Sequence, residues 1–299
     1  MTTVATSPQN PVGPHAVGAA TTNRLSITAS QPSRPTPPSP TVTTRTSRLH
    51  QRFLLPLTIE RIKSKRSWIL VIVAVALAAL NTASGVYKYL GYTEIFRAQG
   101  VTWQVVWGQG SLMWGTFFLP LLITIRATGL ARMEHEHDNW RRMATYGAAA
   151  TTYTGKLTLT TLFALYCQTV FLLLVMAASA ALGFHLTPTD ITTAITWALL
   201  GALGAITIVT VQLLIGIYVP SFATAVLIGM GASFLGLATL LAVPPLAPFY
   251  PYSQITIGMQ ARTLSMPTPT QIAWFLIWNT TLITATIFFS RRALKKKQH

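Results

Sequence analysis

The sequence of 299 residues has very little charge: 9% of its residues are charged, and only six are acidic. A soluble domain usually has about 25% charged residues, so this composition excludes an ordinary soluble globular protein. The single cysteine, Cys167, lies inside an apolar run, which excludes a disulfide framework and a cysteine-based zinc site. Because 51% of the residues are hydrophobic, we expect a membrane protein.

Further absences limit the function. No G-x-x-x-x-G-K-[ST] sequence occurs, so we predict that this chain does not hydrolyse ATP. The apolar runs have no Asp, Glu, Lys or Arg in their middle thirds, which argues against a carrier that binds a coupling ion at the centre of the membrane. Residues 1–48 are rich in Thr, Ser and Pro and lack an apolar run. We expect them to be a disordered cytoplasmic tail without a cleaved signal peptide.

The chain offers six apolar runs that are long enough for a membrane helix, which needs about 20 residues. Pro120 is expected to kink the second span, and Pro220 is expected to separate the fourth from the fifth. The predicted spans are residues 67–90, a run ending near residue 125, residues 157–184, two helices within 191–243, and residues 271–290. Residues 67–290 are therefore predicted to form one six-helix transmembrane domain.

The net charge of +16 comes from Lys and Arg residues that flank the apolar runs, as topology signals do, and not from a nucleic-acid-binding surface. Seven basic residues lie between residues 45 and 66, five between 126 and 156, and five in the tail at 291–299. The loops on the other side hold only Lys88, Arg97 and Arg262. This asymmetry predicts a cell-membrane protein with both termini in the cytoplasm, and an amphipathic helix at 49–66 that contacts membrane lipid.

The acidic residues are concentrated in one segment, MEHEHDNWRRM at residues 133–143, which contains three of the six and two alternating histidines. A solvated loop whose acids balance neighbouring arginines is the simplest interpretation. A metal site formed by His135, His137 and Asp138 is a second. The two histidines are two residues apart, however, and on a helix they would point to different sides.

Two other interpretations assign this segment to a macromolecular partner. Nucleic-acid binding would depend on Trp140 and the two arginines that follow it, but the adjoining acids would repel phosphate. Alternatively, residues 130–146, which lack Pro and Gly, form a helix along the inner membrane surface that docks on a cytoplasmic protein. Met133 and Trp140 would share one side of that helix, with Glu134 and Asp138 beside them. We favour the docking helix, because Trp and Arg supply much of the energy at interfaces.

Short motifs at the ends of the first three spans carry a family resemblance. They are Glu60 and Lys63 before the first span, Glu134, Asn139, Trp140 and Arg141 in an E-x-x-x-x-N-W-R segment after the second, and Gly155-Lys156 at the start of the third. In this layout the chain resembles the permease subunit of ABC-2 type ATP-binding cassette exporters, nearest to the lantibiotic and bacitracin immunity permeases. Members often have a proline shortly after the Trp; residues 143–147 have none, and Gly147 is expected to supply a similar turn.

The resemblance implies an all-α integral membrane protein with six transmembrane helices, an amphipathic N-terminal helix and a cytoplasmic coupling helix. It implies export of a hydrophobic or amphipathic compound, such as a peptide antibiotic, and thereby antibiotic resistance or lantibiotic immunity. The energy would come from a separate ABC ATPase subunit, and a second permease would complete a homo- or heterodimer. In this chain we expect no enzymatic activity, no cofactor, no metal and no nucleic-acid binding.

The resemblance also implies the site residues. ATPase coupling is assigned to Glu134, Asp138, Asn139, Trp140 and Arg141 on the coupling helix, with Glu134 pairing with basic residues of the ATPase and Trp140 anchored in its cleft. Pro248, Phe249 and Tyr250 either shape an exit for the substrate or belong to an interfacial aromatic belt. Two alternatives to an exporter stay open: a membrane anchor or receptor that recruits a cytosolic protein, and a channel or carrier of another kind.

Overall fold

The computed structural model describes residues 68–136 and 139–296. Over these residues the chain is all-α, without strands, and six of its helices are long and apolar enough to cross a membrane. The six-span, all-α prediction is therefore confirmed. The tail at 1–48, the amphipathic helix at 49–66 with Glu60 and Lys63, and the candidate site residue Asp138 lie outside the described residues.

The helices follow one another along the chain with short connections. In order they are α1 (Trp68–Gly91), α2 (Thr93–Ala98), α3 (Trp103–Met113), a π-helical segment (Trp114–Phe118), α4 (Leu119–His135), α5 (Asn139–Thr145), α6 (Ala149–Ala181), α7 (Pro188–Tyr218), α8 (Phe222–Ala242), 3₁₀ turns at Pro244–Phe249 and Pro251–Ser253, α9 (Gln254–Gly258) and α10 (Pro269–Lys296). The spans are α1, the continuous α3–π–α4 helix, α6, α7, α8 and α10.

Proline interrupts the second span and separates the fourth from the fifth, as the sequence predicts. The π-helical segment ends just before α4, and Pro120 lies in the first turn of α4, where a missing N–H does least damage. Pro220 lies between α7 and α8. The hydroxyl of Ser221 then accepts a hydrogen bond from the backbone N–H of Thr224 and caps α8.

Several predicted span boundaries are wrong. The second span continues to His135 instead of ending near residue 125, the third begins at Ala149, and α10 continues to Lys296 through part of the predicted basic tail. The predicted surface helix over residues 130–146 is divided, since its first part belongs to α4 and only Asn139–Thr145 forms α5. Charged residues did not end the second and third helices because two of them, Glu134 and Lys156, neutralise each other in the interior.

Helix α7 lies at the centre of the bundle, where it packs against α4, α6, α9 and α10. Small residues permit this close packing: a Cβ on Gly204 would lie 2.5 Å from the carbonyl carbon of Gln254, which directly precedes Ile255 in α9. We call the end of the bundle that contains α5 the α5 end. The opposite end, where the connection between α8 and α10 enters the bundle, is called the α9 end.

Candidate functional site at the α5 end

Helix α5 is a short reversal between the second and third spans. Gly147 follows it with a φ of 66°, a left-handed conformation that favours glycine. The backbone N–H of Ala148 donates to the carbonyl of Met143 over 2.8 Å, and the N–H of Gly147 donates to Ala144 over 3.0 Å, which closes the C-terminus of the helix. Gly147 thus supplies the expected turn, and the chain enters α6 two residues later.

A buried ion pair joins the two spans on either side of α5. Lys156 Nζ of α6 lies 3.0 Å from Glu134 Oε1 of α4, and the two side chains are 1% and 0% exposed. Charges this deeply buried are costly unless they are paired. The pair therefore holds α4 against α6 at the points where they meet the short helix.

Trp140 fixes α5 to the same region. Its residue is only 3% exposed, and it belongs to one hydrophobic core cluster with Tyr153 of α6 and Leu294 of α10. Its ring lies 6.4 Å from that of His135 at the end of α4. Since α5 packs against α4, α6 and α10, one tryptophan links the short helix to three spans.

The exposed side of α5 is basic. Arg141 and Arg142 are exposed, and Tyr146 just after the helix is 79% exposed. The Asn139 side-chain oxygen accepts a hydrogen bond from Arg142, and its amide donates to the carbonyl of Met133 over 3.4 Å. Among the residues of the coupling motif that the structure describes, Arg141 is thus the one whose side chain faces outward.

The contacts of Glu134 and Trp140 differ from those that the resemblance implies. We expected both side chains to reach into an ATPase, but they are buried within this chain, one by Lys156 and the other by the hydrophobic cluster. The reason is that α4 carries Glu134 into the bundle instead of along the membrane surface. The involvement of both residues in coupling stays a prediction, through positioning instead of direct contact.

The metal hypothesis now depends on residues that the structure does not describe. His135 Nε2 lies 2.7 Å from the carbonyl oxygen of Gly216, and because a carbonyl only accepts, this nitrogen carries the hydrogen. His135 thus contacts α7. Among the described residues no group of three or more His, Cys, Asp or Glu side chains is arranged to hold a metal ion, while His137 and Asp138 lie in the gap.

At the α9 end, residues 243–268 fold back among the spans instead of remaining on the surface. Tyr250 donates its hydroxyl to the Ala232 carbonyl of α8 over 2.9 Å, and Tyr252 donates to Gln212 Oε1 of α7 over 2.7 Å. Burial raises the pKa of both tyrosines, which keeps their hydroxyls protonated as donors. We call residues 243–268 the re-entrant segment.

A second set of buried amides fixes the re-entrant segment to α7 and α10. The Asn279 amide of α10 donates to Gln254 Oε1 over 2.9 Å, and Thr207 of α7 donates to Asn279 Oδ1 over 2.6 Å. Gln254 in turn donates to the carbonyls of Pro248 and Tyr250 over 2.8 and 3.0 Å. These bonds connect three parts of the chain that are distant in sequence.

The three candidate exit residues lie together in this segment. Phe249 is 49% exposed, and its ring lies 5.5 Å from that of Trp278 on α10. Tyr250 contacts α8, and the Pro248 carbonyl is held by Gln254. The structure thus places them on a segment anchored between the fifth and sixth spans, an arrangement that suits either of the two roles considered for them.

Sequence reasoning singled out Gln212 and Asn279 as polar amides within spans, and the structure gives both the expected bonds between helices. It missed Tyr252 and Gln254, although the tyrosine–serine–glutamine sequence after the proline-rich stretch was the available signal. It also missed that Glu134 and Lys156 pair. The pairing depends on how α4 and α6 cross, which spacing along the chain does not determine.

Comparison with known families adds an independent finding. The family described as ABC-2 family transporter protein matches residues 56–236, which is more than half of the 299 residues. The match begins before α1 and ends within α8, so it includes the α5 end and excludes the re-entrant segment. A search of the curated proteins found no match to this chain.

Proposed function

Because the chain belongs to the ABC-2 transporter family and is thus the membrane permease component of an ABC transporter, we propose that it is the permease of an exporter. It would move a hydrophobic or amphipathic compound out of the cell, using ATP hydrolysed by a separate subunit. The observation that carries the proposal is the buried Glu134–Lys156 pair across the base of α5. A peptide antibiotic is the substrate that the resemblance to lantibiotic and bacitracin immunity permeases favours.

The proposed mechanism follows from how α5 is attached. The ATPase contacts the exposed side of α5 through Arg141 and Arg142, while Trp140 and the ion pair keep α5, α4 and α6 together. Closing of the ATPase dimer then displaces the second and third spans as one unit. This rearrangement would expose a path between two permeases to the opposite side of the membrane.

The distribution of charge supports a cytoplasmic position for the α5 end. The last two turns of α10 contribute Arg291, Arg292, Lys295 and Lys296 there, close to the arginines of α5. At the α9 end the basic residues outside the spans are few, and they include Arg97 and Arg262. Excess Lys and Arg mark cytoplasmic segments, so the proposal places both termini in the cytoplasm of a cell that carries the protein in its cell membrane.

Copurification tests the ATPase partnership. A C-terminal tag on the full chain, mild detergent and mass spectrometry should recover an ABC ATPase in near-stoichiometric amount. Arg141→Glu with Arg142→Glu should remove that ATPase without unfolding the permease, because both side chains are exposed. Lys295→Glu, an exposed charge reversal on α10 at the same end, is the matched control and should retain it.

Two results would contradict the proposal. A permease that copurifies with no ATPase, under conditions that preserve other membrane complexes, would favour a membrane anchor for another protein. An ATPase that binds but drives no transport of amphipathic compounds in reconstituted vesicles would reject the exporter. Labelling with an impermeant maleimide checks the topology: in a Cys167→Ser background, Lys88→Cys should react from outside intact cells and Arg142→Cys should not.

A further inference from the structure

A cavity opens beside the re-entrant segment at the α9 end, away from α5. It has a volume of about 420 Å³, which falls within the range of about 300–1,000 Å³ that is typical of small-molecule sites. Its walls are mainly apolar and include Leu240 at the end of α8, Pro244 and Pro248 of the 3₁₀ turn, and Ile257 of α9. The apolar walls suit a hydrocarbon chain.

One charged side chain lines this cavity, the guanidinium of Arg262. Its Nη1 donates to the carbonyl of Leu240, which holds the side chain against the wall, and a guanidinium has five N–H donors in all. Among the described residues no carboxylate forms an ion pair with Arg262. A positive group with unused donors, fixed next to apolar walls, matches an anionic head on an apolar chain. Phosphate fits best, because guanidinium binds its oxygens in a bidentate manner.

The backbone around Arg262 is strained. Gln260 and Leu264, two residues to either side, both have a φ of 50°, a conformation that is uncommon for residues other than glycine and a clear outlier for a bulky one. The Leu264 N–H donates to the Gln260 carbonyl over 2.9 Å and closes the turn between them. Strain of this kind is concentrated at functional sites and ligand clamps, and here it fixes the direction in which the turn presents Arg262.

A buried hydroxyl adds a second polar group. Thr256 lines the cavity and is only 2% exposed, and its Oγ1 makes no hydrogen bond with the residues that the structure describes. Buried polar atoms are usually satisfied. An unsatisfied hydroxyl on the cavity wall therefore points to a bound polar group.

We propose that this cavity binds an amphipathic phosphate, with the phosphate on Arg262 and the apolar part against Leu240, Pro244 and Ile257. The phosphate belongs either to a membrane phospholipid or to a free amphipathic compound, since the two share the chemistry that the cavity recognises. The proposal does not depend on ATP-driven export, because binding is measured on the permease alone.

Native mass spectrometry of the purified full chain in a neutral detergent tests it with two probes, dodecyl phosphate and phosphatidylglycerol, against phosphatidylcholine as reference. Losing a charge-assisted hydrogen bond typically weakens binding about tenfold or more, so Arg262→Gln should reduce the affinity for the preferred probe by that factor. Arg262→Lys should restore part of it. Thr263→Phe, at the exposed rim of the cavity, should block binding while leaving the charge in place.

The matched control is Arg97→Gln, an exposed basic residue on α2 at the same end, which should bind both probes as the wild type does. Arg262-dependent binding of dodecyl phosphate alone indicates a free compound, and of phosphatidylglycerol alone indicates a lipid; either result supports the site. The proposal is overturned if Arg262→Gln and Thr263→Phe bind as tightly as wild type. It is equally overturned if Arg97→Gln weakens binding as much as Arg262→Gln, since attraction would then be a general effect of surface charge.

Discussion

The buried pair of Glu134 and Lys156 gives the sharpest test of how the α5 end is held together. The atoms Oε1 and Nζ are 3.0 Å apart, and at an effective dielectric constant of about 20 two unit charges at that distance attract by about 5 kcal/mol. Both charges lose their hydration in the interior, so much of this attraction offsets desolvation. The pair thus contributes little net free energy, but each charge depends on the other.

The perturbation is to remove one charge at a time. Glu134→Gln or Lys156→Met leaves the other charge buried without its partner, which typically costs about 3–5 kcal/mol in the free energy of unfolding. The double variant removes both charges and should be destabilised by less than the sum of the singles. The expected coupling energy between the two positions is several kcal/mol, a factor of more than about 100 in the ratio of folded to unfolded protein.

The assay is a double-mutant cycle on purified protein, with unfolding followed by helical circular dichroism and ATP-driven transport measured on the same variants. Arg132 and Glu136 are the matched control, since they form an exposed i,i+4 pair on the same helix, 3.2 Å apart with side chains 56% and 53% exposed. Exposed pairs contribute about 0.2–1 kcal/mol, so Arg132→Gln and Glu136→Gln should change both readouts little. Added salt should weaken this exposed pair more than the buried one.

One result would refute the reasoning. If the effects of Glu134→Gln and Lys156→Met add up to that of the double variant, the two charges do not depend on each other, and the ion pair does not hold α4 against α6. If the double variant recovers stability but not transport, the pair is needed for coupling as well as for folding. That outcome would support the positioning role proposed for both residues.

Two further predictions concern the re-entrant segment. Tyr252→Phe removes the donor to Gln212 Oε1 and should lower the free energy of unfolding by about 1 kcal/mol, whereas Tyr87→Phe at an 81% exposed position should not; equal thermal midpoints would refute the anchoring role. Gly204→Ala would place a methyl group 2.5 Å from backbone of the re-entrant segment and should cost about 1–3 kcal/mol or more. Gly231→Ala, with nothing within 4 Å, is the control, and an equally small effect at Gly204 would mean that the segment moves aside easily.

The sequence by itself determined the class of protein and the number of spans. Apolar runs with few charges have one stable arrangement in a bilayer, because every backbone polar group must be satisfied within a helix. Pro220 determined where the uncharged region divides, since a proline lacks the N–H that would continue the helix. The motif of Glu134, Asn139, Trp140 and Arg141 identified the region and the family from residue types alone.

Tertiary structure decided what those residues contact. A carboxylate and a lysine 22 positions apart can each face solvent or each other, and only the packing of α4 on α6 brings Glu134 and Lys156 to 3.0 Å. The same holds for the re-entrant segment, because its bonds to α7 and α10 join residues from 25 to 72 positions apart. Local sequence pattern encodes helices, whose hydrogen bonds are local, but contacts between helices depend on the geometry of the whole bundle.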